Sequence, residues 1–185
     1  MSTAAPSDDL VSVITQDHNA VRQRLSEFDS ASPGSREELF WKLTDQLVRH
    51  EVAEQVVVYP ALRELPGGGE VADLRIAEEE NAEKLLASME HLDPTGDEFA
   101  RVIEELSEAV LDHALKEEAE VLPLFLAHEE SGRLQYLAQK FKGAKLGAPS
   151  HPHPHLPSSP TAHKVLGPIA AFFERARGAA RESTA

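Results

Sequence analysis

The stretch HEVAEQVVVYPAL, residues 50–62, places a histidine and a glutamate where an amphipathic helix is expected to bury apolar side chains. The apolar residues before it recur at alternating steps of three and four, the spacing that puts side chains on one face of a helix. His50 and Glu54 continue that face. Burying an imidazole or a carboxylate costs several kcal/mol unless protons, hydrogen bonds or a metal satisfy it. The stretch therefore predicts a helix whose buried face carries a functional pair.

The composition of the 185-residue chain limits its chemistry. With 41% hydrophobic residues the chain can bury a sizeable core, and without cysteine it has no disulfides, thiolate ligands or iron–sulfur clusters. A formal net charge of −14 opposes general binding to nucleic acid or an anionic membrane. The start MSTAAPSDDL lacks a basic segment before an apolar run, and no apolar run reaches the ~18 residues of a membrane span. We therefore expect a cytoplasmic protein with no nucleic-acid or membrane partner.

The hydrophobic pattern predicts four long helices and no strand. Breaks at SASPGS, PGGG and DPTGD separate the predicted helices, which cover residues 6–29, 36–65, 70–92 and 98–128. Four helices with short connections predict an all-α fold, an antiparallel up-down four-helix bundle over residues 1–145. The Pro- and His-rich residues 146–162 are predicted to form an extended strap, and residues 163–185 a short C-terminal fifth helix.

The segment HPHPH, residues 151–155, raises the question of a surface metal site. Alternating prolines hold a chain near three residues per turn, so the three histidines need not converge. We favour a proline strap across the bundle. The amphipathic helix predicted at 163–185 leaves a protein partner or self-association open.

The second and fourth predicted helices repeat the pattern H-x3-E-x5-P at a separation of 63 positions. The repeated residues are His50, Glu54 and Pro60, and His113, Glu117 and Pro123. Residues four apart on a helix differ by about 40° around the axis and ~6 Å along it, so each pair points inward at one level. His18 interrupts the apolar stripe of the first helix, and Glu78, Glu79 and Glu83 are the candidates on the third.

Three histidines and at least three carboxylates that converge in a bundle core predict a metal site with nitrogen and oxygen ligands. Such ligands suit iron, manganese or zinc. About six protein ligands exceed the four of tetrahedral zinc, and carboxylates bridge metal pairs, which favours two metal ions. HEVAE lacks the second histidine of the zinc-protease pattern H-E-x-x-H. Its histidine also precedes its glutamate, the reverse of the Glu-x-x-His pattern of ferritin-like proteins.

With these motifs the chain resembles the hemerythrin-like, or HHE cation-binding, family. The resemblance covers about residues 9–126 and rests on His18, HEVAE...YP and HALKE...LP; the tail HPHPHLPSSPTAHKVLGP is similar to that of actinobacterial members. It implies a non-haem di-iron centre with oxo or hydroxo and carboxylate bridges that binds oxygen, nitric oxide or peroxide. By this resemblance the terminal ligands would be His18, His50 and His113. The bridging carboxylates would be Glu54 and Glu117.

The chain departs from this family on the third helix, where the family usually has a histidine ligand and this sequence has none between His50 and His91. Aligning LLASMEHLDP with the family puts Glu79 at that place, while helix phase allows Glu78 or Glu79. A carboxylate at that place favours ferric iron. The resulting site resembles that of di-iron oxidases more than that of a reversible oxygen carrier. Tyr59 is similar to a tyrosine that some members place near iron, but on an ideal helix it points away from the ligands and is predicted to be a packing residue.

Together these features predict a di-iron protein that binds and turns over hydrogen peroxide or nitric oxide, a catalase- or peroxidase-like oxidoreductase in oxidative-stress protection. The expected cofactor is two iron ions, with manganese or zinc less suited. An alternative is a module that binds or senses oxygen, nitric oxide or iron without turnover. A third interpretation, a metal that only staples the bundle, is disfavoured because so large a bundle has enough apolar surface to fold.

Overall fold

The computed structural model describes residues 8–148, which form five helices and no strand. In chain order they are α1, Leu10–Ser30; α2, Arg36–Ala53 with Glu54–Val58 and Tyr59–Arg63; α3, Gly68–Met89; α4, Asp97–Lys116 with Glu117–Val121 and Leu122–His128; and α5, Ser131–Gly147. The predicted all-α bundle is confirmed. The helix predicted at 163–185 and most of the strap predicted at 146–162 lie outside the described residues.

Helices α2 and α4 each contain a π-helical turn that begins at the glutamate of the repeated motif. In each turn a backbone N–H donates to the carbonyl five residues earlier, and the pairs are Tyr59 with Glu54 and Leu122 with Glu117. Pro60 and Pro123 follow at once. A proline lacks the N–H and its ring clashes with the carbonyl four residues back, so a wider turn before it removes a conflict that an α-helix would have. The extra residue changes the helix phase beyond the turn.

Helix α5 was not anticipated as a separate helix. Four of its apolar residues follow the steps of three and four that predict one buried face, and these four are buried: Leu134, Leu137, Ala138, Phe141. Two others, Tyr136 and Leu146, are exposed. This face packs against α1 and α2. No helix between residues 8 and 148 is both long and apolar enough to cross a membrane.

A layer of polar side chains divides the interior into two hydrophobic cores. The core on the α5 side includes Leu10, Ile14, Tyr59, Leu62, Phe125 and Phe141. The far core includes Phe40, Leu43, Leu86, Met89, Phe99 and Leu106. Each of α1 to α4 runs from one core to the other, as α1 does from Ile14 past His18 to Val21. The buried polar residues of the motif therefore meet at one level of the bundle.

The ends of α1 and α3 show how the chain sets the helix positions. Asp9 precedes α1, and its side chain accepts a hydrogen bond from the Ser12 N–H at 2.9 Å, which caps the helix. Gly67 has φ of 77° and allows the tight reversal into α3. The next residue, Gly68, lies so close to the Leu62 carbonyl that a β-carbon would be 1.9 Å from its oxygen. The PGGG turn thus brings α3 directly against the end of α2.

Candidate metal centre

The three histidines of the polar layer share one arrangement, in which Nδ1 faces a carboxylate at the edge of the site. The Nδ1 to carboxylate oxygen distances are 2.9 Å for His18 with Glu118, 3.1 Å for His50 with Asp17 and 3.1 Å for His113 with Glu78. An ionised carboxylate only accepts hydrogen bonds, so it fixes the proton on Nδ1. The Nε2 lone pair of each neutral ring is then available to a metal, as in carboxylate–histidine–metal triads.

Each of these outer carboxylates also pairs with a cation. Lys145 pairs with Asp17, Arg22 with Glu118 at 2.9 Å, and Lys116 and Arg75 with Glu78 at 2.8 and 3.0 Å. Burial alone would raise the pKa of Asp17 and Glu78, but hydrogen bonds and charge from the histidines and these cations lower it overall. Both carboxylates therefore stay ionised at neutral pH as acceptors for the histidines.

Three carboxylates occupy the centre of the layer and are at most 1% exposed: Glu54, Glu79 and Glu117. Glu54 Oε1 lies 3.0 Å from His50 Nε2. Glu117 Oε2 lies between two rings, 3.2 Å from His18 Nε2 and 3.7 Å from His113 Nε2. Glu54 thus lies beside one imidazole, and one Glu117 oxygen lies between two.

Tyr59 and Gln55 complete the centre by donating hydrogen bonds to its carboxylates. The Tyr59 hydroxyl lies 2.6 Å from Glu79 Oε1 and 3.0 Å from Glu117 Oε1, and Gln55 Nε2 donates to Glu79 Oε2 at 2.6 Å. The prediction that Tyr59 is a packing residue turned away from the ligands is wrong. The π-helical turn adds one residue before Tyr59, which rotates its side chain by about 100° relative to an α-helix and into the layer.

The directions of the three central carboxylate pKa values indicate that nearby positive charge outweighs burial at only one of them, Glu117. Burial, then the charge of Glu117, raises the pKa of Glu54 well above its usual value. Burial and the charge of Glu54 likewise raise the pKa of Glu79, although the Tyr59 and Gln55 hydrogen bonds oppose this. Burial acts in the same direction on Glu117, but the nearby histidines outweigh it and lower its pKa. A bound cation would supply the missing charge.

The residues fit two metal ions. Four side chains, His18, His50, Glu54 and Glu117, each offer a ligand atom within 4.8 Å of the others, and Glu54, Glu79 and His113 form a second such group. The two groups share Glu54. Among the described residues, both Glu54 oxygens and the Nε2 atoms of His50 and His113 are buried without a hydrogen bond. Buried polar atoms normally have a hydrogen-bond partner. A bound metal ion would be the missing partner of these atoms.

A cavity of about 20 Å³ adjoins the polar layer on the side of the far core. Its polar lining includes His18, His50 and His113, and its apolar lining includes Val21, Leu47, Ala82, Val110 and Leu111. This volume accommodates one or two molecules the size of water. The cavity beside the histidines is thus the size of a diatomic molecule or peroxide, and charged side chains also line it: Arg22, Glu51, Glu78 and Glu79.

The structure brings all six of the ligands named from sequence into one layer. Of the helix-three candidates, Glu79 joins a ligand group, whereas Glu78 faces His113 Nδ1 from outside. Glu83 is part of neither group. The outer residues Asp17, Glu118 and Gln55 were missed. Each is a sequence neighbour of a predicted ligand, which is the signal that could have found them.

Metal binding at this layer is predicted to release protons. Glu54 and Glu79 have raised pKa values and must lose their protons to act as ligands, so the affinity for an air-stable divalent ion such as Mn²⁺ rises with pH and falls in mild acid. Calorimetric titration in two buffers of different ionisation enthalpy measures the protons released per ion. Glu54→Gln should lower that number, and heats that do not depend on the buffer would contradict the prediction.

Comparisons with known proteins agree with this geometry. The family model for the hemerythrin HHE cation binding domain matches residues 9–125. An uncharacterized hemerythrin-like protein of Schizosaccharomyces pombe is 28% identical over 71% of this chain, and a Nostoc protein named DNA nickase is 29% identical over 72% of it.

The matches cover 66% and 38% of those two relatives, so the chain spans less than two thirds of their length. Among solved structures, none gives a significant match. The family model covers well over half of the chain, and the histidines and carboxylates of its polar layer can hold metal. The chain belongs to the hemerythrin HHE cation-binding domain family.

Proposed function

We propose that this protein holds two iron ions and turns over hydrogen peroxide or nitric oxide. The observation that carries the proposal is the pair of ligand groups that share Glu54, since two overlapping groups fit a two-metal centre. Domains of this family typically bind iron. Three of the six ligands are carboxylates, and Glu79 stands where an imidazole is usual, so the ligand set favours ferric iron over reversible oxygen binding.

In this proposal His18, His50, Glu54 and Glu117 hold one ion, and Glu54, Glu79 and His113 hold the other. Glu54 is the shared carboxylate, and the Glu117 oxygen between His18 and His113 is placed to be a second one. Bound iron supplies redox steps that these side chains cannot perform alone. The outer carboxylates keep each imidazole in the tautomer and orientation that ligation needs.

Tyr59 supplies a proton at the centre of the layer. Burial and the charges of Glu117 and Glu79 raise its pKa, so the hydroxyl keeps its proton at neutral pH. That hydroxyl lies within hydrogen-bond distance of both carboxylates and can donate to only one of them at a time. Peroxide disproportionation, which converts two hydrogen peroxide molecules to one oxygen and two water molecules, moves two protons and two electrons from one peroxide to the other, and bound iron would carry the electrons. Tyr59 lies in the core on the α5 side, but it donates to Glu79, which lines the cavity. The Tyr59–Glu79 pair can therefore hold one of these protons.

The size and lining of the cavity support small uncharged substrates. Its volume beside the histidines fits molecules no larger than peroxide, and a site of that size limits side reactions at a redox centre. The same cavity supports the alternative function, binding of oxygen or nitric oxide as a sensor without turnover. Repeated addition of peroxide separates the two, since only turnover gives continued oxygen release at an oxygen electrode.

The name of the Nostoc relative raises DNA as a substrate for this chain. We infer that DNA is not one, because the net charge of −14 repels a phosphate backbone. The cations nearest the polar layer, Arg22, Lys116 and Lys145, are each already paired with a carboxylate. Conversion of supercoiled plasmid to nicked circles by the iron-loaded protein would overturn this inference.

The proposal is tested by iron quantification together with the optical spectrum before and after peroxide. The wild type is expected to hold about two irons per chain, one for each ligand group, and to change its spectrum with peroxide. Glu54→Ala combined with Glu117→Ala should lose both properties. Glu104→Ala with Glu108→Ala removes two exposed carboxylates from α4 and should lose neither. One iron per chain or fewer in the wild type would contradict the two-metal proposal.

A further inference from the structure

Helix α5 lies outside the residues that match the family model but directly against the polar layer. The match ends at residue 125, and α5 is Ser131–Gly147. The fully buried Phe141 ring meets the His50 ring edge to face, with centroids 5.6 Å apart and planes at 79°. The Lys145 ammonium pairs with Asp17, the carboxylate that faces His50 Nδ1 at 3.1 Å. Two side chains of α5 therefore set the surroundings of one ligand.

The Lys145 position is itself held from two directions. Arg49 donates from its guanidinium to the Lys145 carbonyl at 3.0 Å, and Arg49 is fixed in turn by Asp45 on the same helix at 3.0 Å. The Lys145 ammonium also lies 5.8 Å from the centre of the Phe141 ring. These contacts join the last turns of α5 to α2 beside His50.

His50 differs in this respect from the other two histidines of the layer. The outer carboxylate of His18 pairs with Arg22 on α1, and that of His113 pairs with Lys116 on α4. Both cations belong to the bundle helices that carry the ligands. In residues 8–148 the cation behind the His50 carboxylate comes from α5.

We propose that α5 positions His50 for metal binding, so that one of the two metal positions depends on the docking of α5. This inference rests on the proposed two-metal function. Lys145 and Phe141 are positioning residues, since they touch Asp17 and His50 rather than the metal. Lys145 pairs with the Asp17 carboxylate and holds it against His50 Nδ1, and the Phe141 ring limits the rotation of the His50 ring.

The dependence must act in both directions. If docked α5 raises the affinity of the His50 position, a metal bound there stabilises docked α5 by the same factor. Amide hydrogens of α5 are therefore expected to exchange more slowly in metal-loaded protein than in metal-free protein. This readout does not depend on any activity of the iron.

The experiment compares Lys145→Met with Lys142→Met in the full chain. Lys142 lies on the same helix and pairs with Asp8, away from the histidines, which makes it a matched control. Chelator competition with Mn²⁺ should show that Lys145→Met weakens one metal position about tenfold, as loss of an outer partner does, and leaves the other near wild type. Lys142→Met should change neither. Lys145→Arg should restore most of the lost affinity because it keeps the charge.

Asp17→Asn provides a second variant, since it changes α1 and leaves α5 intact, and it should weaken the same single position. Hydrogen exchange should show metal-dependent protection of residues 131–147 in the wild type and in Lys142→Met, but not in Lys145→Met. If Lys145→Met binds metal at both positions with wild-type affinity, or if Lys145→Met and Lys142→Met have equal effects, the role of α5 is overturned. The proposed two-metal function would still stand. A wild type that binds no metal would overturn the proposed function as well.

Discussion

Glu54→Gln is expected to raise the melting temperature of the metal-free protein at pH 8 and to lower that of the metal-loaded protein. Glu54 is fully buried, and burial and the charge of Glu117 raise its pKa in the folded state. The folded protein therefore binds a proton that the unfolded protein has lost, and its stability falls as the pH rises from the ordinary glutamate pKa through the raised one. Glutamine resembles the protonated acid and carries no such penalty.

With metal bound, the sign reverses because Glu54 belongs to both ligand groups. Loss of a shared ligand should weaken metal binding by more than the roughly 10–100-fold that outer partners contribute. Since a ligand stabilises the folded state in proportion to the logarithm of its affinity, most of the stabilisation by metal disappears. The melting temperatures of the wild type and of Glu54→Gln are measured by thermal unfolding at pH 5 and pH 8, each with Mn²⁺ and with chelator. A lower melting temperature for the chelated variant at pH 8 would refute the argument.

Gly68→Ala is expected to destabilise the protein by about 3 kcal/mol, the upper range for overpacking a well-filled site. A β-carbon at this position would lie 1.9 Å from the Leu62 carbonyl oxygen and 2.8 Å from its carbon. These are backbone atoms, so relief requires that the end of α2 and the start of α3 move apart. The expected fall in melting temperature is about 10 °C, measured by circular dichroism.

The neighbouring Gly69 provides a matched control with the opposite sign. A β-carbon there would have nothing within 4 Å, and the residue lies in the first turn of α3. Gly69→Ala should stabilise the protein by about 0.5 kcal/mol, because alanine loses less backbone freedom on folding. Equal effects of the two substitutions would show that helix propensity, and not the contact with Leu62, decides the result.

The sequence predicted the helices well, and it predicted which faces the six candidate ligands occupy, because both depend on one periodicity. A step of three or four keeps His50 and Glu54 on the buried face, and the same holds for their copies 63 positions later. That periodicity assumes an unbroken α-helix. Tyr59 was misplaced because it follows a π-helical turn, and nothing in residue spacing alone shows where such a turn begins.

The outer parts of the site were not predicted for a different reason. Asp17 and Glu118 are acidic residues beside the ligand faces, in a chain with 32 aspartates and glutamates, so most such residues are simply solvated surface. Only the packing of helices shows which of them reach a histidine. Glu78 was named from the sequence, but as a candidate ligand and not as the partner of His113 Nδ1. Helix α5 did carry a readable stripe from Leu134 to Phe141, but its contact with His50 depends on tertiary docking.

The PGGG turn has a consequence for the whole molecule, because it divides the chain into two helical hairpins with three ligands each. The α1–α2 hairpin carries His18, His50 and Glu54, and the α3–α4 hairpin carries Glu79, His113 and Glu117. Both ligand groups draw residues from both hairpins. Because both groups join the two hairpins, an ion bound in either group would hold the hairpins together in the folded chain. It would stabilise that state by mass action, without a cysteine crosslink.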